Sequence, residues 1–252
     1  MEARLQSILS TAKRRRRQRL ALLLLLTGLL VGAGRYTGLL DGARLREGVP
    51  ALLDLAKEML PPDFSAIRTW WKPILDTLAM SVAGTALAVF FGLPLAFLAA
   101  RNTSPHPTLY FASRAFLSGL RSIPELIMGI VFVAAVGFGA LPGVLALGFH
   151  SIGMVGKLFS EAIEHADPEP MEAITAAGAT RMQLHLHGVL AQVYPQLLDV
   201  VIYRWEYNFR ASTVLGAVGA GGIGFELISS LRIMRYQEML AIVLVMFAAV
   251  IL

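Results

Sequence analysis

From Pro73 to Ala100 the chain reads PILDTLAMSVAGTALAVFFGLPLAFLAA, 28 residues whose one charge is Asp76. About 20 mostly apolar helical residues cross the roughly 30 Å hydrocarbon core of a bilayer. A stretch of this length and cleanliness is a membrane-spanning helix, and that commits the whole chain to a lipid environment. Composition agrees. Hydrophobic residues make up 56% and charged residues 15%, against about a quarter charged in a soluble domain. Cysteine is absent, which removes disulfides, thiol nucleophiles and cysteine metal sites. A net charge of +5 could suggest nucleic acid as a partner, but six of the 22 basic residues stand in KRRRRQR, directly before a leucine run. That placement reads as an anchor beside anionic lipid headgroups and not as a nucleic-acid surface.

The remaining spans follow from the same rule. Leu20–Gly34 is the first, with Arg19 and Arg35 able to snorkel at its ends. A cleaved signal peptide is the alternative for this segment, and the later spans favour an uncleaved helix. Residues 35–72 form a mixed-charge connection in which Leu45, Val49, Leu52, Leu53 and Leu55 suggest an amphipathic helix stopped by LPPDF. Pro73–Ala100 is the second span, closed by Arg101 and the turn-rich NTSPHP. Residues 108–122, with Arg114 and Arg121 among apolar neighbours, favour a surface or partly inserted helix. Ile123–Gly139 and Pro142–Ser160 are the third and fourth spans, divided by GALPG, and Val189–Gly216 is the fifth. Met239–Leu252 begins a sixth but is too short for a bilayer at about 1.5 Å per residue, so a natural chain that continues further is expected. The expected fold is all-α and polytopic, with about six transmembrane helices. Residues 1–72 hold the basic segment, first helix and connector, and residues 73–252 hold the core. Arg101–Arg121 contains three arginines and no acid, so that region and the N-terminus should be cytoplasmic. Alternation then puts 165–188 inside and 219–237 outside.

The segment HADPEPMEAITAAGATRMQLHLHG, residues 165–188, is polar where its flanks are not. Asp167 is an N-cap, Pro168 suits the first helical position, and Glu169 and Glu172 favour the positive end of the helix dipole. Gly178 offers the left-handed conformation that ends a helix, and Thr180 with Gln183 has capping-box spacing for a second helix running toward the membrane. His165, His185 and His187 lack zinc-site spacing, because His185 and His187 point to different helix faces. An acid pair among Glu161, Glu164, Asp167 and Glu169 lacks a nucleophile beside it. On these grounds alone a docking knob and an ordinary capped loop stay equally open.

EAITAAG followed by VLAQVYP resembles the cytoplasmic signature loop of ABC importer permeases: Glu-Ala-Ala, three residues, Gly, then a downstream apolar-Leu-Pro. Glu172, Ala173 and Gly178 fall on that pattern. Ile174 replaces the second alanine, and Ala191 stands where the family usually has proline, with Pro195 following. The resemblance covers most of residues 75–252, including RSIPELI. It narrows at RWEYNFRASTVLGAVGAGGIG, residues 204–224, which is similar to permeases of phosphonate-type importers moving phosphonates, phosphite or related oxyanions. Methionine importer permeases share GAVGAGGIG.

The resemblance implies a type I-like permease fold in the bacterial inner membrane, with the N-terminus cytoplasmic. It implies two permease copies, two ATPase subunits that bind ATP and Mg, and a periplasmic or lipoprotein binding protein. No cofactor is expected in this chain, which also lacks the Walker A sequence. Residues 165–190 would be the coupling loop seated on the ATPase, with Glu172, Ala173, Ile174, Gly178, Ala179 and Arg181 making the contact.

Two further features bear on transport. Glu206, Asn208 and Arg210 lie inside the fifth span, where charge is costly and marks a partner or a pathway. Glu206 and Arg210 are spaced to pair. We expect this stretch, with Ser212 and Thr213, to line the translocation route and offer donors to an oxyanion, a purely structural ion pair being the alternative. Gly219, Gly221 and Gly224 match G-x-G-x-x-G, but they end an apolar helix and do not join a strand to a helix, which excludes a dinucleotide fold. With Gly222 they are expected to bend the chain at the outer end, where the resemblance places binding-protein docking or an outer gate. The rival functions are a methionine or other small-metabolite importer, an intramembrane enzyme of lipid or headgroup chemistry using Glu206 and Arg210, and a non-transporting membrane anchor or receptor.

Overall fold

A computed structural model describes residues 2–251, and every regular element among them is a helix. The chain divides into two compact units, Met1–Glu58 and Met59–Leu252. In the first unit, α1 (Glu2–Tyr36) contains the apolar stretch Arg14–Tyr36, long enough to cross a membrane. Its leucines, from Leu22 to Leu30, are exposed, as a lipid-facing helix requires. The second helix, α2 (Gly42–Glu58), starts where the Asp41 carboxylate accepts the Ala43 N–H at 3.1 Å. Leu45, Val49, Leu52 and Leu53 are exposed on it, which matches the amphipathic helix expected in the connector.

The second unit is organised by two long helices, α3 (Trp71–Ala99) and α6 (Ala140–Glu164). Gly84, Ala88, Gly92 and Ala96 recur every fourth residue on α3, and these small side chains let the backbone of α6 come close. A Cβ at Gly92 would lie 3.1 Å from Val155 and 3.3 Å from the backbone of Gly156 on α6. Ala88, Ala96, Ile152, Val155 and Phe159 are buried along this seam. Helix α9 (Ala191–Leu215) packs against both, with Val193 and Leu197 in the same cluster.

Between these helices the path departs from the expected spans. Helix α4 (Pro107–Ser122) and helix α5 (Glu125–Val136) meet at an angle of 84°. Ile123–Gly139 is therefore not a straight third span: α5 has 12 residues, about 18 Å at 1.5 Å each, too short to cross alone. Pro124 explains the break, since it disfavours a helical conformation at Ile123, which is extended at ψ 119°. The next span is longer than Pro142–Ser160, running the 25 residues of α6. After α9, helix α10 (Ile223–Arg232) turns away by 60°, and α11 (Tyr236–Ile251) closes the described chain. Among the described residues three helices are long and apolar enough to cross a membrane, or five if each bent pair forms one span, and Tyr236–Ala249 is a shorter apolar helix. At the end of the connector Trp70 is fully buried, packed with Ile223, Ala241 and Ile242.

Candidate functional site

Helix α7 (Pro168–Ala176) begins as its residues dictate, with the Asp167 carboxylate accepting the Glu169 N–H at 3.0 Å and proline at the first position. It ends at Gly178, whose φ is +85° and whose N–H donates to the Thr175 carbonyl at 3.0 Å. Thr180 and Gln183 then form a capping box, the Thr180 N–H donating to Gln183 Oε1 at 2.9 Å. The second helix is not a separate short element. Its single turn α8 (Arg181–Gln183) runs through a π-helical stretch, Leu184–Leu190, straight into α9. The Gln192 side chain ties the start of α7 to α9, accepting the Asp167 N–H at 3.0 Å. Glu172, Ala173, Gly178 and Arg181 are exposed on this elbow, whereas Ile174 and Ala179 are half-buried.

A second tie holds the neighbouring helix ends together. The Glu164 carboxylate at the end of α6 accepts the Arg101 N–H at 2.9 Å and sits 3.5 Å from the Arg114 guanidinium of α4. Tyr110 accepts from both arginines, from Arg101 at 3.0 Å. The Tyr110 hydroxyl, helped by Glu164, pushes the Arg101 guanidinium above its already high usual value, so the tie keeps its charge at any physiological pH.

Helix α9 carries two polar faces that the sequence reading merged into one. Residues two apart on a helix point about 200° away from each other, so Asn208 cannot share a side with Glu206 and Arg210. Glu206 and Arg210 are exposed and paired at 3.3 Å. Asn208 is fully buried: its amide donates to Thr85 of α3 at 2.9 Å and accepts from Ser151 of α6 at 2.9 Å. The expectation that Asn208 offers a donor to a passing anion is thereby corrected, since both ends of its amide are engaged inside the protein. Ser212 is also fully buried and, like Thr213, donates to its own helix, to the Phe209 and Arg210 carbonyls respectively. Those two hydroxyls are therefore not free donors either. Asn208→Leu should lower stability by roughly 1–2 kcal/mol, because it removes the acceptor of the buried Ser151 hydroxyl and the donor to Thr85. Thermal unfolding of the purified protein checks this.

Arg204, Asn208 and Ser212 are spaced by four and form one buried polar row on α9, a signal present in the sequence. Arg204 is 2% exposed, donates through Nε to Ser151 at 2.9 Å, and lies 4.2 Å over the Tyr207 ring. Trp205 adds a further tie to α3, its indole donating to Ser81 at 3.1 Å.

The glycine run folds the chain end back on itself. Gly219, Gly221 and Gly222 have φ of +98°, +76° and +72°, conformations that residues with a Cβ rarely adopt. A π-helical stretch, Gly216–Ala220, precedes the reversal. The Ile223 N–H donates to Thr77 of α3 at 2.8 Å, and the Gly139 N–H donates to the Gly219 carbonyl at 3.1 Å. The bend is as expected. The contact surface is not, since Gly219 is buried against Phe138, Gly222 against Thr77 and Met80 of α3, and Gly224 against the Thr213 backbone, while Gly221 is half-buried.

Residues 92–252, which carry the elbow, α9 and the glycine reversal, match the family described as binding-protein-dependent transport system inner membrane component. The chain belongs to that family. This permease is 66% identical over 223 residues to PtxC, a phosphite transport system permease protein of Stutzerimonas stutzeri, a match spanning 88% of the chain and 81% of that protein. It is 44% identical over 209 residues to PhnE, a phosphate-import permease protein of Mycolicibacterium smegmatis, across 83% of the chain and 38% of that protein. Among solved structures, the MetNI methionine ABC transporter in an inward facing conformation superposes with a TM-score of 0.66, covering 75% of this chain and 92% of that chain at 22% identity. At that identity the likeness is one of fold, and the permease is an all-helical membrane component with the architecture of ABC importer permeases.

Proposed function

We propose that this permease forms the membrane pathway of an ATP-driven importer for phosphite, a phosphonate or a related tetrahedral oxyanion. The observation that carries the reading is the 66% identity to a phosphite transport permease over most of both chains. In the working assembly two copies pair in the membrane, two ATPase subunits bind ATP and Mg, and a periplasmic or lipoprotein binding protein delivers the substrate. The chain hydrolyses nothing itself. The basic cluster at residues 13–19 supports a cytoplasmic N-terminus, and the α7 elbow then faces the ATPase on the same side. Exposed Glu172, Ala173, Gly178 and Arg181 are the surface available for that contact, and the continuity of the elbow with α9 lets a push at α7 reach the membrane helices as a rigid body. The exposed Glu206–Arg210 pair is one part of α9 that can face the route, with Arg210 as donor to the anion.

A methionine importer is supported by fold alone at 22% identity, and by a 27% identical relative described as a probable D-methionine transport system permease protein MetI of Haemophilus influenzae. The test is uptake by the reconstituted importer with its ATPase and binding protein, offered phosphite, methylphosphonate, phosphate or methionine. Uptake of at least one oxyanion and none of methionine is expected. Methionine uptake without oxyanion uptake would overturn the reading.

A further inference from the structure

At the break between α4 and α5 the protein buries polar groups and leaves them without partners. Arg204 Nη2, Arg121 Nε and Glu125 Oε2 are each buried and make no hydrogen bond. Arg204 is 2% exposed, and neither Arg204 nor Arg121 forms an ion pair among the described residues. Such groups are costly in a membrane interior, where water does not compensate them.

The groups converge from four helices. Arg121 ends α4 and Glu125 begins α5, on either side of the 84° bend. From α9, the Tyr207 hydroxyl donates to Glu125 Oε1 at 3.2 Å, and the Arg204 guanidinium lies over the Tyr207 ring at 4.2 Å. From α6, Ser151 accepts from Arg204 Nε at 2.9 Å, the His150 ring lies 3.2 Å from the Ile123 carbonyl, and the Arg121 side chain lies against Gly153, where an added Cβ would come 2.7 Å from Arg121 Cγ. Pro124, the N-cap of α5, offers no side-chain cap, and while the Ile127 and Met128 N–H groups donate to its carbonyl at 3.0 and 3.2 Å, those of Glu125 and Leu126 have no intrahelical partner. Broken membrane helices whose N-termini face a polar site are a recurring way to hold an anion in a transporter. Arg121, Glu125, His150 and Tyr207 are half-buried, so the cluster is reachable from one side.

The unmet groups are of two kinds. The guanidiniums and the N–H groups of α5 require acceptor oxygens, whereas Glu125 Oε2 requires a donor. A tetrahedral oxyanion that retains one hydroxyl supplies both at once. We propose that Arg204, Arg121, Glu125 and the N-terminus of α5 form a waypoint for a singly protonated tetrahedral oxyanion inside the permease. This rests on the oxyanion reading of the function and adds a binding site on the side of α9 opposite the Glu206–Arg210 pair. Glu125 sets specificity there. A site built to accept a ligand hydroxyl rejects an analogue that lacks it, so sulfate, fully deprotonated at neutral pH, leaves Glu125 facing an unprotonated oxygen.

The test uses the permease–ATPase complex in lipid nanodiscs without the binding protein, and reads phosphorus-31 line broadening of inorganic phosphate at neutral pH and of phosphite at mildly acidic pH, where phosphite retains its one hydroxyl. The unaltered complex should broaden both signals, and excess sulfate should not reverse it. Arg121→Gln should weaken the broadening by at least about tenfold in affinity. Glu125→Gln keeps an acceptor for Tyr207 and replaces the second oxygen by a donor, so sulfate should now compete, a change in selectivity that a purely structural role would not produce. Absence of broadening by the unaltered complex overturns the waypoint. So does undiminished broadening in Arg121→Gln together with continued exclusion of sulfate in Glu125→Gln. The same preparation, given its binding protein, is assayed for uptake. Phosphite uptake without broadening overturns the waypoint and leaves the oxyanion importer standing, whereas no uptake of any oxyanion overturns both.

Discussion

Gly178→Pro should abolish coupled transport, cutting uptake by at least about tenfold, while the protein still inserts and assembles. Gly178 has φ +85° and donates its N–H to Thr175 at 3.0 Å. Proline holds φ near −65° and has no N–H, so the substitution both forbids the turn and removes the bond. The damage stays local, because Gly178 is exposed and nothing lies within 4 Å of the position a Cβ would take. What changes is the direction of α7 relative to the capped start of α8, and with it the surface proposed to meet the ATPase. Glu172→Lys tests the same surface without touching the backbone, reversing a charge on the exposed side of α7. Measured side by side, ATP hydrolysis should persist in both variants while uptake is lost. Unchanged uptake in both would sink the coupling role of this elbow.

Gly224→Ala should produce the largest loss of stability of any single methyl addition near α9. A Cβ there would overlap the Thr213 carbonyl, and one at Gly216 would lie 2.5 Å from the Phe225 nitrogen. The obstructing atoms are backbone on both sides, so no rotamer change relieves the clash. The expected cost is at or above the upper end of the roughly 1–3 kcal/mol typical of overpacking, seen as a lower unfolding temperature or failure to purify as a monodisperse species. Gly119→Ala is the matched control. Its Cβ would meet nothing within 4 Å, and in the last turn of α4 alanine is still the better helix former, so stability should hold or rise slightly.

The two variants also mark where sequence reading succeeds and where it stops. The elbow was legible because capping is local: Asp167 reaches Glu169, and Thr180 reaches Gln183, within one turn of chain. Its fusion to α9 was not, since nothing within a turn of Gln183 shows that the helix continues through Leu184–Leu190. The Glu206–Arg210 pair was legible from its spacing. The roles of Asn208 and Ser212 were misread because proximity in sequence was allowed to outweigh the helical angle. That angle separates Asn208 from Arg210 as firmly as it joins Asn208 to Arg204.

The sequence by itself determined that this chain lives in a membrane, which apolar runs become helices, and that a capped elbow interrupts them at Gly178. These follow from hydrophobic run length and from hydrogen bonds closed within four residues. Only the tertiary structure decided which side of α9 is inside, that α4 and α5 meet at 84°, and that Arg204, Tyr207 and Glu125 come together. A helix has no intrinsic inner face for its polar residues. The inner face is chosen by what packs against it, here Thr85 on α3 and Ser151 on α6, more than 50 residues away along the chain.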